Sequence, residues 1–82
     1  MNAIVKKYIE EKDIVIFETE QGFGWFETCG IVELEENDIL IGTFDNFGSE
    51  NIIREATGET IDAYIDDLMI RTYEEALEKI FK

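Results

Sequence analysis

Cys29 is the only cysteine in these 82 residues and histidine is absent, so neither an intramolecular disulfide nor a Cys/His zinc site can staple the fold. The chain must fold without a disulfide or Cys/His zinc staple. A chain of this size buries only about 60 to 65% of its unfolded surface, so the core is thin and each large apolar side chain carries a large share of it. At 45% hydrophobic and 12% aromatic residues, the composition is richer than a disordered acidic tail and supplies such a core. The same two absences remove Ser-His-Asp and Cys-His nucleophile systems and histidine acid–base chemistry.

Hydrophobic spacing predicts the elements. Asn2 is a suitable N-cap, and Ile4, Val5, Tyr8 and Ile9 fall on one helical face with Lys6, Lys7, Glu10 and Glu11 opposite, which predicts a helix over residues 3–11. The β-branched run at 14–17 predicts a strand, closed by a turn at Glu20-Gln21-Gly22. A second strand is expected over 25–34, with Phe26, Thr28, Gly30, Val32 and Leu34 on one face and Trp25, Glu27, Cys29, Ile31 and Glu33 on the other. Cys29 there reads as a packing residue with no basic neighbour to activate it. A third strand is expected over 39–44 after the polar turn Glu35-Glu36-Asn37-Asp38.

Residues 45–71 read as a strand or irregular connection to about Ala56 and then a helix over 61–67, because Ile61, Tyr64, Ile65 and Leu68 have helical spacing. Thr72 and Glu75 form a T-x-x-E capping box ahead of a helix over 73–81, which brings Leu77, Ile80 and Phe81 to the core. The expected fold is a single acidic α+β domain spanning residues 1–82. It has an N-terminal helix, an antiparallel β-meander of three to five strands, and a C-terminal helix packed on one sheet face.

Charge is unevenly placed. The net charge is −13, and residues 13–53 hold ten acidic side chains with no lysine or arginine, whereas residues 1–12 hold three basic and two acidic ones. A surface of one sign disfavours direct contact with nucleic acid or an anionic membrane and favours a basic protein surface. Glu18 with Glu20, and Glu33 with Glu35, are two residues apart, about 6.5 to 7 Å along a strand and on one face. With Trp25 as an aromatic anchor, these four acids are the candidate partner-binding residues. The favoured reading of Trp25 is structural, capping a small core beside Gly22-Phe23-Gly24.

No catalytic, cofactor-binding or metal-ligating residue is assigned. Residues 45–51 have the polar look of a calcium loop, but the EF-hand pattern fails because Phe47 takes the third position and the glycine falls fourth. Glu59, Asp62 and Asp66 would line one face of the helix expected at 61–67. Residues 1–12 alternate apolar and charged side chains, unlike a signal peptide, and no apolar run reaches the roughly 20 residues of a membrane span. The expected compartment is the cytoplasm.

In size and charge alone the chain resembles small acidic inhibitors that imitate DNA and acidic immunity proteins that neutralise basic toxins, with no motif linking it to either. The leading expectation is a non-enzymatic binding protein that engages a basic partner surface, as an inhibitor or nucleic-acid mimic. The alternative is a structural or homo-oligomeric accessory domain, a homodimer included, whose charge serves solubility. A divalent-cation-dependent enzyme or sensor ranks last.

Overall fold

A computed structural model describes residues 1–30 and 32–82. Ile31, expected on the outer face of the second strand, lies outside the described residues. The elements are β1 (Asn2–Ile9), a single 3-10 turn at Glu10–Lys12, β2 (Ile14–Thr19), β3 (Gly22–Thr28), β4 (Ile39–Ile41), β5 (Gly48–Arg54), β6 (Thr60–Ile70) and α1 (Tyr73–Ile80). The strands pair antiparallel in the order β1-β2-β3-β6-β5-β4, and β4 pairs back onto β1 to close a barrel. Three consecutive strands followed by one that returns beside the first make a Greek key. This corrects the expected α+β arrangement: the N-terminal segment is a strand, and the sheet is a closed barrel with one short helix outside it.

Both segments with helical spacing outside the C-terminus are bulged strands. In β1 the register shifts between Val5 and Lys7, so Lys6 is an extra residue in the ladder. Val5 then faces inward opposite Phe17 and Tyr8 faces inward opposite Val15, while Ile4 and Ile9 face outward. The bulge thereby gives a strand the three-residue spacing of a helix. In β6 the residue between Ile65 and Asp67 is extra in the same way, since Phe26 pairs with Ile65 and Trp25 with Asp67. A second shift places Met69 at φ 59 before Ile70, which pairs with Phe23. Ile61, Ala63 and Ile65 alternate into the core, Leu68 packs against it, and Ile70 turns outward.

The barrel interior is filled by side chains from every strand, among them Val5, Val15, Phe17, Phe26, Leu40, Ile52, Ile61 and Ile65. Phe17 is central, with ring centroids 5.9 Å from Phe26 and 4.8 Å from Phe44. Gly24 makes room for it. A Cβ at Gly24 would stand 2.7 Å from Phe17 Cζ and closer still to the Asp67 carbonyl oxygen. The strand expected over 25–34 runs instead from Gly22 to Thr28, because the two-residue turn Glu20-Gln21 already returns the chain at Gly22. Leu34, in the connection that follows, is buried against the core. The strand expected over 39–44 stops at Ile41, and Phe44 enters the core from the turn beyond it.

At the opening near β4, Arg54 Nε donates to Asp38 Oδ2 at 2.9 Å, with both side chains nearly covered. That hydrogen bond, opposed by burial and aided by the Asp38, Glu35 and Glu33 charges, raises the Arg54 pKa.

Thr72 N-caps the helix as expected, its Oγ1 accepting the Glu75 N–H at 3.1 Å. The helix lies against the outside of β3 and β6 and buries Ala76 with Ile9, Ile16 and Ile70, flanked by Phe23, Trp25, Leu77 and Ile80. Phe81 is the exception to the expected core. It is 54% exposed, with Lys12 Nζ 5.5 Å from the ring centroid.

Candidate functional site

Among the described residues, α1 does not extend over the opposite side of the barrel. On the outside of β1, β4 and β5 the ladder sets Ile4 opposite Ile39 and Ile41 opposite Ile53, with Ile39 and Ile41 two apart on β4 and on the same face. Ile4, Ile41 and Ile53 are 41%, 39% and 41% exposed. Single exposed apolar side chains are ordinary, but four β-branched residues adjoining across three strands form a continuous apolar face. Acidic residues flank it in register. Glu18 stands opposite Ile4 on β2, and at the far end the Glu55 N–H donates to the Ile39 carbonyl at 2.9 Å.

At the β2 edge this face dips into a shallow groove of about 390 Å³ lined by Asn2, Ile4, Glu18, Thr19, Glu20 and Ile39. The floor is apolar and one wall is anionic. Lys6, the bulged residue of β1, sends its ammonium to within 3.6 Å of Glu18 Oε1, and both side chains remain over a third exposed.

The four acids read from the sequence thus separate into two places. Glu18 and Glu20 share this groove, whereas Glu33 and Glu35 lie in the connection between β3 and β4, which has no strand geometry at either residue. The same-face strand spacing therefore does not apply to that second pair, nor to the first, because β2 ends at Thr19 and Glu20 lies in the turn beyond it. Glu33 and Glu35 lie near enough to act on the charge of Arg54, and the Glu35 N–H donates to Asp38 Oδ2 at 2.8 Å. Trp25 is half-buried in the cluster beneath α1, the structural of its two roles. Cys29 follows β3 and is exposed, which corrects its expected packing role.

Asp62 and Asp66 lie on strand β6 and not on a helix, so the helical acid face with Glu59 does not form. Asp66 is the bulged residue beside Glu27 of β3. Partial burial, a hydrogen bond shared with Glu27, and the charges of Glu27 and Asp67 raise its carboxyl pKa to about 6. Asp66 is the one carboxyl among the described residues with a resolved upward shift, and Glu27 is its hydrogen-bond partner. Neither the groove above nor a second one along α1, lined by Glu75, Glu78, Lys79, Phe81 and Lys82, includes that pair. Among the described residues no three carboxylates or cysteines gather as a metal site, and no helix is long and apolar enough to cross a membrane.

The isoleucine face was not anticipated, although its signal is present. Ile39-Leu40-Ile41 and Ile52-Ile53 are consecutive apolar residues, and in a strand such runs place apolar side chains on both faces. Leu40 and Ile52 face the core, so Ile39, Ile41 and Ile53 must face out. Compared with protein-family models, curated proteins and solved structures, the chain matches none.

Proposed function

We propose that this chain is a non-catalytic binding module whose β1–β4–β5 face engages a basic surface on a partner protein. The observation that carries the reading is the apolar face of Ile4, Ile39, Ile41 and Ile53, left uncovered by α1 and flanked by Glu18, Glu20 and Glu55. An apolar centre with a charged rim is the usual anatomy of a protein interface. A phosphate track contains no such centre, so the acids are read as a rim that steers a basic protein and inhibition as the consequence of covering that protein's surface. A second copy is a poorer occupant, because pairing this face with itself sets the acids of two chains of charge −13 against one another. The proposed setting is the cytoplasm, where the exposed Cys29 stays reduced.

The test is site-specific photo-crosslinking in an extract of the native host. A crosslinking residue at Ile41 or Ile53 is expected to capture a basic protein, and one at Tyr64, exposed elsewhere on β6, is not. Capture should fail at about 0.5 M salt, where the Debye length shrinks to roughly 4 Å. Equal capture from all three positions refutes the assignment, and a self-crosslinked dimer replaces it with the homo-oligomeric reading.

A further inference from the structure

We infer that the groove between β1 and the β2–β3 hairpin receives a lysine side chain of the partner, and that Lys6 is its intramolecular placeholder. The inference rests on the binding role proposed above and adds which chemical group is recognised and what competes for the site. A lysine has a long apolar stem and a compact charged tip, and it gains when the stem lies on apolar surface and the tip meets an anion. The groove offers those two features side by side. Ile4 and Ile39, directly opposite each other on adjacent strands, make the floor, and Glu18, opposite Ile4 on the other side, makes the wall with Glu20 beside it.

Lys6 shows that the wall accepts an ammonium. It has no partner in the β1–β2 ladder because it is the bulged residue, and bulges re-aim side chains. Here the re-aimed ammonium lies 3.6 Å from Glu18, longer than a direct charge-assisted hydrogen bond, with both groups open to water. An exposed pair of that kind is weak and readily exchanged. With Lys6 in place the groove keeps the charge of Glu20, and a partner lysine that displaces Lys6 gains Glu18 as well. Lys6 therefore holds down the affinity for weakly basic surfaces while leaving the site open to a lysine that also covers Ile4 and Ile39.

The test uses the full chain at low salt and three probes followed by amide chemical shifts: a short peptide alternating lysine and valine, the same peptide with each lysine shortened to diaminopropionate, and spermidine. The lysine peptide should shift the amides of Ile4, Lys6, Glu18, Glu20 and Ile39. Lys6→Gln should tighten its binding about two- to fivefold, the worth of one exposed ion pair, and Glu18→Gln with Glu20→Gln should weaken it. The shortened peptide keeps its charge but not its stem, and should bind at least about fivefold more weakly. Unchanged or weaker binding in Lys6→Gln overturns the placeholder role. Equal binding of the shortened peptide overturns the stem contact, and spermidine binding as tightly as the peptide assigns the groove to free polycations. Shifts confined to Glu33 and Glu35 would refute the groove while leaving an acidic binding role intact. Absence of binding by every probe would remove that role itself.

Discussion

Replacing Glu50 tests whether a surface carboxylate holds part of the barrel core in place. Glu50 on β5 reaches back to the turn after β4, where Oε2 accepts the Thr43 N–H at 2.6 Å and both carboxylate oxygens lie within 3.4 Å of the Phe44 nitrogen. Phe44 has φ 50, in the left-handed region, which costs a bulky residue about 1 to 3 kcal/mol. Its ring is nonetheless buried, 4.8 Å from that of Phe17. The carboxylate thus offsets the strain of a turn that drops an aromatic side chain into the barrel. Gly42 belongs to the same device, since a Cβ there would collide with Glu50 Oε2.

A hydrogen bond to a charged acceptor contributes about 1.5 to 3 kcal/mol. The solvent at Thr43 keeps the total for Glu50→Ala near about 2 kcal/mol, and Glu50→Gln, which keeps an acceptor without charge, should lose about half of that. For a domain of this length, 1 kcal/mol moves Tm by about 4 to 8 °C, so the alanine variant should melt roughly 8 to 16 °C below the parent. Urea denaturation followed by the fluorescence of Trp25 gives the free energy directly, and an unchanged m-value shows that the barrel itself persists. An alanine variant within about 0.5 kcal/mol of the parent, the range of an inert surface substitution, would refute the reasoning.

Asp66 carries a pH dependence of defined sign. Its carboxyl titrates at about 6 in the fold and at 3.8 ordinarily, so its stabilising contribution is complete below 3.8 and is lost as pH rises through about 6. Asp66→Asn, which can still donate to Glu27, should match the parent at about pH 4 and exceed it at about pH 7.5, by about 1 kcal/mol once the shift is discounted for solvent screening. Equal denaturation midpoints at the higher pH would contradict this. Phe81→Ala should cost about 1 kcal/mol or less, because the ring is half-exposed, whereas Phe17→Ala at the centre of the barrel should cost about 3 to 5. Comparable melting temperatures for the two variants would show that α1 holds more of the core than its packing indicates.

What was legible in the residues is what depends on near neighbours. Thr72 caps the C-terminal helix through the Glu75 N–H as the spacing predicts, because an N-cap is satisfied within one turn. Ile14 to Phe17 form a strand as expected, and Phe26 and Thr28 turn inward together by simple alternation. Where a bulge intervenes, that logic misleads. Val5 and Tyr8, like Ile65 and Leu68, are three residues apart because one extra residue lies between two inward-facing positions, and the pattern alone cannot distinguish this from a helix.

The candidate site was half legible for a related reason. Glu18 and Glu20 could be picked out as acids lacking nearby bases in sequence, but their neighbours Ile4 and Ile39 come from strands far apart in the chain. The lack of histidine and of a second cysteine already determined that neither a disulfide nor a Cys/His zinc site staples this chain, and local spacing determined its last helix. Only the tertiary structure decided that β4 returns to β1. Closing that ladder satisfies the backbone groups of both strands, and it is the same pairing that leaves Ile4 and Ile39 side by side on the outside of the barrel.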